Sequence, residues 1–211
     1  MNIEIEHEAF ENLYFKDDKI YDKLFDCKTL KGLEKRIKEI SEDYQKYNDA
    51  NGTYDDKEGE FNSGSLKLKG DLFEIFAEIF FKLQGIDNRI MINEYKPITG
   101  ADDIGVDAKG IHDDDLPAAI QVKFRSDPTY ELISDDLKLF PYIAIRDYDV
   151  KIETHNKCLV LFTNCKGLHW YTQNKMFKKG IRVIDRNIIK MIDNNGNFWN
   201  ELRKNIKNNL K

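Results

Sequence analysis

Proline is scarce in this sequence, at 4 of 211 residues, and cysteine is scarcer, at 3. Three cysteines (Cys27, Cys158, Cys165) are odd in number and have no paired metal-ligand spacing. That excludes a disulfide framework and a cysteine-held metal, and reads as reduced thiols. The 4 histidines show no metal-ligand spacing either. No apolar run approaches the roughly 18 residues of a membrane span, so no membrane partner is expected. The start, Met-Asn-Ile-Glu-Ile-Glu-His-Glu, lacks the basic-then-apolar pattern of a signal peptide. A cytoplasmic protein is expected, in the host-cell cytoplasm if the source is viral. Aromatics are not in short supply: at 12% they exclude a chain disordered throughout. Taken whole, a net charge of -5 argues against a nucleic-acid partner.

The charge is not spread evenly. Residues 1–60 carry 10 basic and 17 acidic side chains, and residues 61–150 repeat those counts. Residues 151–211 carry 13 basic and 4 acidic. The last third is therefore strongly basic, which is the asymmetry a nucleic-acid reading looks for.

Leu30, Leu33, Ile37, Ile40, Tyr44 and Tyr47 recur at steps of three and four, which predicts an amphipathic helix over 30–47 with Thr29 as N-cap. Polar, glycine-containing residues 48–65 predict a loop. A second helix is expected over 66–84, stopped by Gly85. Its apolar face includes Phe73, Phe76, Phe80 and Phe81, read as core. Its acids Asp71, Glu74 and Glu78 lie on one stripe, and Glu78 is expected to be exposed. Strands are expected at 88–94, 104–111, 118–124, 157–162 and 181–184, and helices at 130–146, 170–179 and from Asn197. This order implies a mixed α/β fold, a central mixed sheet covered by helices.

The informative stretch is 99–125. Side chains alternate along a strand, so Gln121 and Lys123 share one face while Ile120, Val122 and Phe124 share the other. Residues 112–117 read as the turn of a hairpin, which brings Asp107 beside Gln121 and Lys123. A carboxylate, an amide oxygen and an ammonium then converge. Phosphodiester hydrolysis uses such a set: oxygen ligands hold a hard divalent ion, and an ammonium offsets charge on the phosphoryl oxygens.

Asp107 followed by Gln121-Val122-Lys123 resembles the Asp…(Glu/Asp/Gln)-x-Lys signature of the PD-(D/E)XK nuclease superfamily, in its Mrr-like branch. Gly70-Asp71-Leu72-Phe73-Glu74 and Asp103-Ile104-Gly105-Val106-Asp107 resemble two further motifs of that branch. Over roughly residues 66–190 the chain is similar to nuclease domains of single-chain type I-like (ISP) restriction enzymes and phage helicases. The resemblance implies a restriction-endonuclease-like domain over 63–211, behind an N-terminal helical extension over 1–62. It implies a metal-dependent DNA endonuclease, phage- or mobile-element-encoded or part of a restriction system, using Mg2+ with Mn2+ as substitute. Asp107 and Gln121 become metal ligands, with the Val122 carbonyl as a third. Lys123 becomes the catalytic lysine, Glu74 the helical acid and a further metal ligand, with an exposed helix acid as its alternative, and Asp103 an auxiliary acid. DNA is the implied partner, and a homodimer or a separate helicase or other protein partner is also open.

Plainer readings stand beside these. Asp107 caps a turn beside Gly105, and Lys123 is a solvated strand residue. The same fold then serves as a DNA-binding or partner-binding module without turnover. Asp113-Asp114-Asp115 lacks the spacing of a calcium loop and reads as a solvated turn. Arg125, Lys166, Lys175, Lys178, Lys179 and Arg182 are candidate DNA contacts, with solvated charge as the alternative. Tyr171, Phe177 and Trp199 lie among the cations, as core residues or as rings that stack on bases.

Overall fold

The computed structural model describes residues 2–11, 18–51, 63–98, 105–151, 158–177 and 180–210. It is a mixed α/β protein with a five-stranded mixed sheet flanked by helices. Two short helices, α1 (Glu8–Glu11) and α2 (Asp18–Phe25), precede two long ones, α3 (Leu30–Asn51) and α4 (Ser63–Gln84). An antiparallel meander follows: β1 (Ile92–Pro97), β2 (Ala108–His112) and β3 (Pro117–Lys123). After the short β4 (Glu131–Leu132) and α5 (Phe140–Tyr148), β5 (Leu159–Thr163) returns parallel to β3. Next come β6 (Gly167–Leu168), paired with β4, then α6 (Trp170–Phe177) and β7 (Ile181–Ile184), parallel to β5. Two helices, α7 (Arg186–Ile189) and α8 (Gly196–Asn209), complete the described chain. The sheet order is β1-β2-β3-β5-β7.

Local chemistry accounts for the element ends. Thr29 caps α3, its Oγ1 accepting from Gly32 N at 3.0 Å. Asn195 caps α8 and Asp185 caps α7 by the same device. Gly85 closes α4 against β1, where a Cβ would meet the Ile92 carbonyl oxygen at 2.0 Å. The acidic turn Asp113–Asp115 is exposed, as a solvated hairpin turn should be.

The core lies between α4 and the sheet. Phe73, Phe76, Phe80 and Phe81 surround the Phe162 ring of β5 at centroid separations of 5.1–6.3 Å. One cluster of buried apolar side chains runs from Ile3 to Ile206 and so includes the N-terminal residues. Ile3 and Ile5 are clamped from α8: Ile3 N donates to Asn205 Oδ1 at 2.8 Å and Ile5 N to Asn209 Oδ1 at 3.0 Å. Glu34 of α3 pairs with Arg186 and accepts from Asn164 Nδ2 at 3.0 Å, tying α3 to the end of β5. Among the described residues no helix is long and apolar enough to cross a membrane.

Three local expectations are corrected. The first strand begins at Ile92, not residue 88, because residues 88–90 form a turn and Met91 takes φ 53°. The segment 130–146 is not one helix: β4 and a 3-10 turn (Ser134–Leu137) precede α5, which has Pro141 in its first turn. The loop expected over 48–65 gives way to helix through Asn51 and again from Ser63, and residues 52–62 lie outside the described residues.

Candidate functional site

Asp107 stands immediately before β2. Its N–H donates to the Ile120 carbonyl at 3.0 Å, and its own carbonyl accepts from Ile98 N at 2.9 Å. Its carboxylate then takes over where the β2 backbone leaves off: Oδ2 accepts a short hydrogen bond from Val122 N. The side chain is thereby fixed against the strand that carries Gln121 and Lys123. Gly105, at φ 81°, turns the chain into this position, close against Leu139 and Phe140 at the start of α5.

Val122 is in register with Phe162, whose ring lies among the α4 phenylalanines. Alternation therefore turns Gln121 and Lys123 to the opposite face, as the sequence predicts. Gln121 is only 3% exposed, and its Oε1 has no hydrogen-bond partner among the described residues. A buried amide oxygen without a partner carries a desolvation penalty of roughly 1–3 kcal/mol. Lys123 is half-buried, and no carboxylate of the described residues pairs with it.

Glu74 is on α4, across the sheet from Gln121 and Lys123. Its Oε2 is 2.9 Å from His7 Nε2. His7 Nδ1 accepts from Ala9 N at 3.2 Å, so the ring presents Nε2–H to the carboxylate. Burial lowers the His7 pKa, but the Glu74 hydrogen bond and the nearby Glu74, Asp71 and Glu78 charges outweigh it and leave it raised. Burial and the Glu74 charge push the Asp71 carboxyl up to about 6. Tyr95, stacked on Phe81 at 4.9 Å, links the two sides. Its hydroxyl is held well above the usual pKa, first by burial and then by the charges of Glu78, Glu74 and Asp107.

Glu78 corrects the sequence reading. It is fully buried, not exposed, and accepts from Glu6 N at 2.7 Å, His7 N at 3.0 Å and Lys82 Nζ at 2.8 Å. Residues 6 and 7 of the N-terminal segment therefore lie against Glu74 and Glu78 on the acidic stripe of α4. Sequence reasoning assigned nothing to His7. The alternation of Ile3, Ile5 and His7 with polar residues is the signal that could have found this segment, since it marks one buried side of an extended segment.

The basic candidates divide. Arg125 is bound to Asp136 at 2.6 Å and Lys166 to Glu131 at 2.6 Å. Lys175 is exposed, with Nζ 4.5 Å from the Tyr171 ring centroid. Burial lowers the Arg182 pKa to about 10, and its guanidinium nitrogens are buried without a hydrogen-bond partner among the described residues. Asp103, Lys178 and Lys179 lie outside the described residues. Of the three rings, Trp199 is core, Tyr171 is exposed, and the Phe177 side chain lies outside what is described. Cys158 and Cys165 are buried, and burial raises both thiol pKa values.

Among the described residues no three His, Cys, Asp or Glu side chains are grouped to hold a metal. A metal set here draws instead on one carboxylate, one amide oxygen and a backbone carbonyl. No family model, curated protein or solved structure matches the chain.

Proposed function

We propose that this protein is a metal-dependent DNA endonuclease of restriction-endonuclease-like fold, Mrr-like in its motif. One observation carries the reading. A buried amide oxygen on Gln121 has no partner among the described residues, one residue from the amide that fixes the Asp107 carboxylate. A hard cation satisfies such an oxygen, and carboxylate plus amide oxygen is a donor set suited to Mg2+ or Mn2+. Asp107, Gln121 and the Val122 carbonyl would hold it. When bound, the ion supplies Lewis acidity toward a phosphoryl oxygen and lowers the pKa of water.

The chain's own groups do the rest. The Val122 N–H holds Asp107 in one rotamer, so the carboxylate is pre-positioned. Lys123, free of any carboxylate among the described residues, is available to orient the attacking water and to offset charge on the phosphoryl oxygens. Glu74, held by His7, adds negative potential from across the sheet. The test is Mg2+-dependent cleavage of supercoiled plasmid. Asp107→Ala and Lys123→Ala each lose cleavage while retaining the wild-type circular dichroism spectrum. Undiminished cleavage by either folded variant contradicts the assignment.

A second reading has its own support. Asp107 Oδ2 already accepts from Val122, and Gln121 brings no charge, so the set has a single carboxylate. A DNA-binding or partner-binding module on the same fold fits that economy. An isothermal titration without heat from Mg2+ or Mn2+ favours this reading over turnover.

A further inference from the structure

We propose that the end of the sheet opposite Lys123 binds a small oxyanion of the phosphate class, held by the Arg182 guanidinium with His112 Nε2 as a second donor. This site is separate from the one above and does not rest on the nuclease reading.

Register places the two side chains. Lys123 ends β3, and at the other end the Asp113–Asp115 turn leads from His112 of β2 toward Pro117 of β3. Beside the start of β3, the Cys158 carbonyl accepts from Ala119 N at 2.9 Å. On β7, Arg182 is in register with Val160, and Val160 with Ile120. Paired residues share a face, so Arg182 lies on the face of Ile120, Val160 and Phe162, which α4 covers. Gly110 is in register with Ala118, two residues from Ile120, so His112 lies on the same face. Three strand spacings, roughly 14 Å, separate the two backbones. Burial lowers the Arg182 pKa to about 10, and the opposing charges are those of Cys158 and of Asp113, the residue after His112. The guanidinium therefore extends from β7 toward the turn.

The chemistry of these atoms selects the ligand. Arg182 Nε, Nη1 and Nη2 and His112 Nε2 are buried without a hydrogen-bond partner among the described residues. His112 is only 3% exposed. Asp114 N donates to His112 Nδ1 at 3.3 Å, so a neutral ring carries its proton on Nε2. All four atoms are therefore donors. A guanidinium keeps its proton at neutral pH, and buried charges are as a rule paired. Asp113 and Asp114 are exposed in the turn, and neither accepts from the guanidinium. Donors without an acceptor call for an anion, and the planar guanidinium fork matches two oxygens of one phosphate. Burial restricts the ligand to a small one. Free phosphate and the phosphate of a mononucleotide share this chemistry.

The test is isothermal titration of the full chain in EDTA with inorganic phosphate, dTMP and acetate. Phosphate is expected to bind about tenfold more tightly than acetate, which offers fewer oxygens and less charge. Arg182→Met is expected to lose phosphate binding. Arg182→Lys, which keeps the charge but not the fork, is expected to weaken it about tenfold. His112→Phe removes one donor and is expected to weaken it about fivefold. Binding of dTMP as well as phosphate assigns the site to phosphate monoesters, and binding of phosphate alone assigns it to the free ion. No phosphate binding by the wild type overturns the proposal. So does wild-type phosphate affinity in Arg182→Met. Where Arg182→Met does not fold, Arg182→Lys and His112→Phe decide, and unchanged phosphate affinity in both overturns it. Acetate binding as tight as phosphate overturns the phosphate assignment.

Discussion

Replacing Glu78 by leucine probes the packing of the N-terminal segment on α4. The carboxylate is fully buried and accepts three hydrogen bonds, from Glu6 N, His7 N and Lys82 Nζ. Lys82 would keep the Glu4 carbonyl at 2.7 Å and Glu6 Oε1 at 2.9 Å, so its ammonium would not be orphaned. The two backbone N–H groups would be. Each bond from a backbone N–H to a carboxylate contributes roughly 1.5–3 kcal/mol. Their loss together should cost about 3–5 kcal/mol, the range for breaking a buried charged network. For a chain of this size that lowers Tm by roughly 6–20 °C. Urea unfolding followed by circular dichroism measures the difference directly, because the midpoint falls while the slope is unchanged. Glu42→Ala is the control: it removes an exposed α3 acid 3.8 Å from Lys38 and should stay within about 0.5 kcal/mol of wild type. A Glu78→Leu penalty below about 1 kcal/mol would refute the reasoning, since the N-terminal segment would then not depend on that carboxylate.

Two further outcomes follow from the same physics. Asp71 has its folded-state pKa raised to about 6, first by burial and then by Glu74, from an ordinary value of 3.8. A raised carboxyl pKa means the folded state holds the proton more tightly, so its charge costs stability as pH rises from about 4 to 6. Asp71→Asn should therefore stabilise the protein at pH 7 by about 1–2 kcal/mol, discounted from the full shift because the carboxyl is only partly buried. Urea midpoints at pH 7 and pH 4 check this, with the gain shrinking at the lower pH. Burial pushes the Cys27 thiol up to about 12 and raises Cys158 and Cys165. Ellman's reagent should therefore label no thiol rapidly in the native protein and all three in denaturant.

Much of the architecture was legible because its signals are local. The three-four spacing of Leu30, Leu33, Ile37 and Ile40 marks α3, and all four side chains are buried. The hairpin that joins Asp107 to Gln121 and Lys123 was readable from alternation and a polar turn. Pro141 marks the first turn of α5, a signal passed over in the expectation of one helix across 130–146. What could not be read depends on residues far apart in the chain. An acid on an amphipathic helix is solvated by default, and Glu78 is buried only because residues 6 and 7, some 70 positions earlier, donate to it. The exposure of Trp170 and Tyr171 likewise depends on where α6 docks. Nothing in their spacing distinguishes them from core aromatics such as Trp199.

The net charge of -5 is consistent with this arrangement. Lys82 pairs with both Glu6 and Glu78, while residues 164–184 contain five Lys and Arg and no Asp or Glu, Lys166 among them pairing with Glu131 outside the run. Total charge averages over both.

Gln121 Oε1, buried without a hydrogen-bond partner among the described residues, is the proposed metal ligand for phosphodiester hydrolysis. The most direct measurement is the rate of Mg2+-dependent plasmid nicking by wild type, Gln121→Glu and Gln121→Leu at equal concentration. Cleavage is expected from wild type and from Gln121→Glu, which supplies a charged oxygen at the same place. At least a hundredfold loss is expected in Gln121→Leu, with a urea midpoint no lower than wild type, because leucine removes a buried amide oxygen that has no hydrogen-bond partner among the described residues. Wild-type nicking by Gln121→Leu, or no Mg2+-dependent nicking by the wild type, would contradict the assignment.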